Sequence, residues 1–189
     1  MKFTYKQKIT LAIICVLVVG YIFGCVSIRA FYMKDISYLS ECMKNVLSGG
    51  TGSSVISAFT DTVLYVCLTA FLGYSMTGFV LVFPLIFFKA YMTGFYATLC
   101  YVAYGIKGGL VVAAVMMPVS LLMFMILCIV GAEAVEFSYK AICHKVEDRR
   151  TLLKRYSITC AITLVISIGL AFWSMFLTPY ILKNIQGLL

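Results

Sequence analysis

The side chains that could carry acid–base or nucleophilic chemistry are few and scattered in this 189-residue sequence. Its one histidine, His144, stands in a polar segment with no nucleophile pattern around it. No Gly-x-Ser-x-Gly, His-Glu-x-x-His, phosphate-loop or dinucleotide fingerprint occurs. The carboxylates Asp61, Glu133 and Glu136 stand at the ends of apolar runs, and no set of metal-ligand residues is clustered. We therefore predict no catalytic residue, no metal and no cofactor, and that the protein is not an enzyme.

The elements around these few charges are apolar. Hydrophobic residues make up 63% of the chain and charged residues 12%, too little polar surface for a soluble globule. Runs of more than about 18 uncharged residues indicate membrane-spanning helices. We predict an all-α integral membrane protein, a single membrane domain over 1–189 with five transmembrane helices plus a short outer amphipathic helix. The spans lie at about 9–28, 62–83, 90–106, 110–132 and 158–181. The alternative has four spans, with 84–106 forming a re-entrant hairpin.

The distribution of lysine and arginine predicts the orientation. The basic start MKFTYKQK fits a signal peptide, but the apolar run after it is too long and lacks an Ala-x-Ala-like site, so we interpret it as a retained anchor. With the N-terminus inside, ten basic residues lie inside, many of them in the inner basic segment 133–155, and five outside. This predicts a plasma-membrane protein with its C-terminus outside. It also accounts for the +8 net charge without nucleic-acid binding.

The segment 33–47, after the first span, has the periodicity of a short amphipathic helix. Its apolar positions include Ile36, Leu39, Met43 and Val46, with charged residues between them. On the outer side it would lie on the lipid surface, dock a partner or pack on the protein's own bundle. We name these four residues as candidate partner-docking positions.

Small residues are placed where helices of a membrane bundle could pack closely. Met-Thr-Gly-Phe occurs twice, at 76–79 and 92–95. With a turn bracketed by Pro84 and Lys89, the two copies would face each other in an antiparallel hairpin, and Lys89 would reach the inner interface. The first span carries a GxxxG motif that pairs with this bundle or with another protein, a homo-oligomer included. The predicted helix-packing residues are Gly20, Gly24, Gly73, Gly78, Ala90 and Gly94.

The order of these motifs resembles the stage II sporulation protein M family of multi-pass membrane proteins. The resemblance rests on Leu72-Gly73, Ser75, Gly78, Pro84, Phe88-Lys89, Gly94-Phe95, Gly105-x-Lys107-Gly108, Pro118 and Thr178-Pro179. An acidic residue and then an aromatic are expected shortly before the closing proline, and Ser174 and Phe176 occupy those places, so the sequence departs from the family pattern at Ser174.

The resemblance implies a role in endospore formation. Family members act in forespore engulfment, in the septal membrane of the mother cell, and work with the stage II sporulation proteins D and P, which cut peptidoglycan. The family member itself is held to be a non-enzymatic scaffold that recruits and holds those hydrolases.

Two other function classes stay open from the residues alone. A small transporter or permease subunit would line a path with the Pro- and Gly-containing second and third spans, and would bind its substrate through Lys89 or Lys107. A lipid-modifying membrane enzyme would need clustered polar residues, which the sequence does not contain.

Overall fold

The computed structural model describes residues 5–31, 51–75, 78–142 and 149–186, and all the elements within these ranges are helical. The helices are α1 (Tyr5–Phe31), α2 (Thr51–Tyr74), α3 (Gly78–Val111), α4 (Met117–Ile142) and α5 (Arg149–Gln186). A π-helical turn, Val112–Met116, joins α3 to α4. The prediction of an all-α fold is confirmed for these residues. The predicted amphipathic segment 33–47, with Ile36, Leu39, Met43 and Val46, lies outside the described residues.

Four of the helices are long and apolar enough to cross a membrane. Their apolar parts are Lys6–Ile28, Gly78–Val102, Met117–Lys140 and Arg150–Ser174, each of 23 to 25 residues. At about 1.5 Å per residue, each exceeds the ~30 Å of a bilayer core. Within α2 the described apolar part is the shorter stretch Thr62–Tyr74. The chain is therefore a multi-pass membrane protein by helix length and composition.

The turn between α2 and α3 lies before the position that the sequence predicted. Pro84 and Lys89 are both inside α3, so the turn predicted between them and the re-entrant hairpin over 84–106 are both wrong. The chain instead turns just after Tyr74, where the Ser75 N–H donates to the Leu72 carbonyl and the Gly78 N–H to the Ser75 carbonyl, both at 3.0 Å. Pro84 removes only one backbone hydrogen bond, and membrane helices tolerate that loss.

The reversal between α3 and α4 begins at Gly105. This residue has φ 61° and ψ −139°, a conformation that side chains with a Cβ rarely adopt. Val112, which follows Gly105, packs back on Ala97 and Cys100, which precede it. Val82 and Ile86, near the start of α3, lie beside Gly131 of α4. The two helices therefore run antiparallel.

The helices alternate in direction through the bundle. Gly20 and Gly24 of α1 meet Phe87 and Tyr91 of α3 in the same order, so α1 and α3 are parallel. Along α2, Val66 packs at the level of Leu127 in α4, and Gly73 lies against Ala134, so these two helices are also parallel. α5 runs antiparallel to α2 because its residue Tyr156 meets Gly73 and its residue Leu170 packs with Val66.

Candidate functional site: helix interfaces and buried charge

A close contact between backbones joins α1 to α3 through the GxxxG motif. A Cβ on Gly20 would lie 2.8 Å from the Phe87 carbonyl oxygen, and one on Gly24 would overlap the Tyr91 carbonyl. Both glycines therefore let the two backbones approach more closely than any side chain permits. The sequence left open whether this motif packs inside the bundle or on another protein, and in the structure it packs against α3.

The second copy of Met-Thr-Gly-Phe belongs to the same contact. A Cβ on Gly94 would overlap the Tyr21 carbonyl of α1, and the Cys25 thiol donates to the Gly94 carbonyl at 3.6 Å. The predicted pairing of the two copies across an α2–α3 hairpin is therefore wrong. The partner of Gly94 is the first helix, because α3 is continuous where the hairpin turn was expected. Ala90, another predicted packing residue of α3, is fully buried against Gly20.

Gly73 and Gly78 make room for two other close approaches. A Cβ on Gly73 would overlap the Tyr156 hydroxyl, which donates to the Ala70 carbonyl at 2.7 Å. A Cβ on Gly78 would overlap the Leu72 carbonyl across the α2–α3 turn. Gly73 thus admits a buried tyrosine from α5, and Gly78 closes the turn. Sequence inspection could not identify Tyr156 as the partner, since the two residues are 83 positions apart.

Three buried hydroxyls are bonded within their own helices. Thr69 donates to the Tyr65 carbonyl, Ser167 to the Leu164 carbonyl and Thr163 to the Thr159 carbonyl, at 2.7–2.8 Å. All three side chains are buried. Because each hydroxyl is satisfied by its own helix, it presents a small surface to its neighbours at little polar cost.

Lys89 is half-buried and stands near the middle of the apolar part of α3. It stands one residue from the middle of the Gly78–Val102 apolar stretch, and its ammonium lies 4.6 Å from the centre of the Tyr65 ring in α2. The prediction that it reaches the inner interface from a turn is wrong, because it stands about 16 Å along α3 from Gly78. A cation over an aromatic face is favoured by the ring quadrupole, and most strongly away from water. Charged groups at this depth are rare in membrane helices and often functional.

A cluster of three charged side chains lies at the end of the bundle where α1, α3 and α5 begin. Lys6 of α1 donates to the Glu133 carboxylate of α4, and Arg155 of α5 lies 3.7 Å from the same oxygen. We call these three residues the charged end. The side chains of Lys6 and Arg155 are 42% and 66% exposed, and that of Glu133 only 13%. Two accessible cations therefore share one recessed carboxylate, and the outward face is positive.

Two further contacts tie the helices together at this end. The Ser138 hydroxyl of α4 donates to the Ser75 carbonyl at 2.8 Å, and the Tyr74 and Ser157 hydroxyls are 2.8 Å apart. Glu136 and Lys140, at i,i+4 along α4, form an ion pair with 2.5 Å between their charged atoms. The other Glu136 oxygen is buried and has no hydrogen-bond partner.

The remaining predicted residues fall at helix positions of several kinds. Pro84 is exposed on α3, and Pro118 is exposed at the second position of α4, directly after the π-helical turn Val112–Met116. Gly108 is buried near the end of α3. The backbones of Lys107 and Pro179 are helical, in α3 and α5. His144 lies outside the described residues. Within the described ranges, no three histidine, cysteine or acidic residues are grouped to hold a metal.

Comparison with known proteins identifies the family. No curated protein and no solved structure matches the chain. The family model described as stage II sporulation protein M matches residues 12–180, which include all five helices in whole or in large part. Since this match covers far more than half of the 189 residues, the chain belongs to the stage II sporulation protein M family.

Proposed function

We propose that the protein is a non-enzymatic membrane scaffold in endospore formation, which recruits and holds peptidoglycan hydrolases at the septal membrane during forespore engulfment. Family membership over residues 12–180 is the observation that carries this proposal. The close α1–α3 contact at Gly20, Gly24 and Gly94 supports it physically, because it gives a rigid body on which partners can be held. The proposed partners are the stage II sporulation proteins D and P.

The proposal includes a topology. The bundle crosses the plasma membrane of the mother cell five times, with α2 as the second span, the charged end inside and the C-terminus outside. The alternating directions of the five helices support this arrangement. A hydrolase that acts on peptidoglycan must be met on the outer side. The segment 33–47 would offer Ile36, Leu39, Met43 and Val46 to it.

The test is complementation of a deletion strain, with membrane migration followed by microscopy and protein levels by blot. Glu133→Gln, Glu136→Gln, Asp61→Asn and His144→Ala should each leave engulfment largely working, since a scaffold has no single essential polar group. Leu39→Asp combined with Met43→Asp should abolish co-purification of the hydrolases while the bundle stays in the membrane. A stable protein that loses engulfment through one conservative carboxylate or histidine change would overturn the scaffold proposal.

A small transporter or permease subunit is the second candidate, and the depth of Lys89 favours it. A cation in the middle of a membrane span often marks a substrate or ion path. The two functions differ in what Lys89→Met should do. If the variant protein accumulates normally, a scaffold should still support engulfment and hydrolase capture. A transporter should lose its activity at normal abundance.

A further inference from the structure

The charged end continues into an apolar surface on α4. Counting back from Glu133 in steps of one helical turn gives Ile129, Met125 and Leu122, which share its face of the helix. Their side chains are 52%, 65% and 49% exposed. The same face therefore carries a carboxylate at the charged end and an open apolar stripe directed toward the other end of the bundle.

α5 carries a matching stripe. Counting forward from Arg155 in steps of one turn gives Ile158, Ile162 and Ile166, which are all at least half exposed. α4 and α5 pack against each other and run antiparallel, since Tyr156 packs with Ala134 and Leu170 with Met123. The two stripes therefore start at the contact between Glu133 and Arg155 and run in the same direction into the membrane.

α1 borders this surface from the other side. It packs on α4, where Lys6 contacts Glu133 and Ile13 lies beside Gly131. Among the described residues, α1 has no substantial contact with α5. The exposed face of α4 is therefore left open between two helices, with one cation from each helix at its charged end. Two cations at one end of two apolar stripes match a phospholipid with a negatively charged headgroup: the cations face the headgroup, and the stripes face the acyl chains.

We propose that this surface binds an anionic phospholipid, whose phosphate lies between Lys6 and Arg155 and whose acyl chains lie along the stripes of α4 and α5. Glu133 holds the two cations in place and opposes the phosphate by its own charge. Arg150 and Lys154, both exposed on the first turns of α5, add positive charge near the same end. A basic residue near a membrane surface contributes about fivefold to the binding of anionic lipid.

The experiment compares phosphatidylglycerol with phosphatidylcholine of the same acyl chains. The full-length protein is purified in detergent, titrated with each lipid, and the bound lipid counted by native mass spectrometry. We expect a preference for phosphatidylglycerol that falls about fivefold in Arg155→Gln, because one charge is removed. Lys8→Gln is the matched control, since Lys8 is exposed at the same end but lies two residues from Lys6 and so faces away from it. Lys8→Gln should change the preference less than Arg155→Gln does, because Lys8 faces away from the proposed position of the phosphate.

Glu133→Gln separates a lipid site from a purely structural ion pair. If the phosphate competes with this carboxylate, the variant should bind phosphatidylglycerol several-fold more tightly. If the pair is only structural, the variant should bind equally or less, and that result would overturn the proposal. Equal retention of both lipids by the unaltered protein would overturn it too.

A photocrosslinking amino acid tests where the acyl chains lie. Placed at Ile162 on the α5 stripe, it should label phosphatidylglycerol more than at Leu64, which is exposed on α2. Labelling that is equal at the two positions would contradict the proposed path of the chains. Inorganic phosphate should not displace the lipid, because it occupies none of the apolar surface. Displacement at low phosphate concentration would instead assign the site to a free anion and would overturn the proposal.

Discussion

The ammonium of Lys89 in α3 lies 4.6 Å from the centre of the Tyr65 ring in α2, at the middle of an apolar stretch of 25 residues. This contact joins two helices that the sequence predicted to meet in a different way. It also places a charge where the bilayer has the lowest dielectric constant, so the interaction should be stronger than at a protein surface.

A double-mutant cycle between these two residues should give a coupling free energy of about 0.5–2 kcal/mol. The variants are Tyr65→Leu, Lys89→Met and the pair, with unfolding measured in bicelles. Tyr65→Phe is the control, since it keeps the ring and should retain most of the coupling. Additive effects of Tyr65→Leu and Lys89→Met would show that the contact contributes nothing.

Gly24→Ala should destabilise the bundle by at least about 1–3 kcal/mol. The added methyl group would overlap the Tyr91 carbonyl, a backbone atom that cannot rotate away, so α1 and α3 must separate. Gly169→Ala is the matched control because a Cβ there meets nothing within 4 Å. That change should be neutral or stabilise α5 by up to about 1 kcal/mol. Equal thermal stability of the two variants in detergent would refute the interface.

Gly94→Leu should separate α1 from α3, whereas the sequence alone predicted a separation of the second and third spans. The leucine side chain would meet the Tyr21 backbone. Disulfide crosslinking between cysteines introduced at Phe23 and Phe87, whose ring centres are 6.4 Å apart, reports the α1–α3 contact, and it should fall in the variant. A cysteine pair at Ser75 and Ser138 reports the α2–α4 contact and should crosslink as before. An unchanged first crosslink in Gly94→Leu would contradict the assignment of Gly94 to the α1–α3 contact.

Tyr156→Phe should cost about 0.5–1.5 kcal/mol, the usual contribution of one hydrogen bond, because the ring stays packed while the bond to the Ala70 carbonyl is lost. Gly73→Ala should cost more in the unaltered protein than in the Tyr156→Phe background, since the hydroxyl is the nearest atom to the added methyl group. Thermal unfolding of the four proteins measures this difference. The same cost for Gly73→Ala in both backgrounds would exclude the hydroxyl as the source of the clash.

Reporter fusions test the proposed five-span topology. A reporter active only outside the cell should work after Leu189 or within the 48–54 segment, and should fail after Arg150. An inactive fusion after Leu189, with an active one within 48–54, would leave an even number of spans and would contradict the proposal.

Composition and periodicity alone determined that the protein is a helical membrane protein. An uncharged run of 20 residues can satisfy its backbone in lipid only as a helix, so the long spans follow from local sequence. The order of glycines and prolines was also sufficient to recognise the family, and the i,i+4 pair of Glu136 and Lys140 follows from helix geometry alone.

Only the tertiary structure decided where α2 ends and what each small residue meets. In the sequence, Pro84 and Lys89 look like residues that end a membrane helix. The helix tolerates the missing hydrogen bond of Pro84, and the Tyr65 ring provides a favourable surface for the Lys89 ammonium. Neither compensation is visible in the residues that flank them. The assembly of Lys6, Glu133 and Arg155 likewise depends on three helices whose contacts join positions up to 127 residues apart. Local patterns determine helices, but which faces meet depends on packing across the whole bundle.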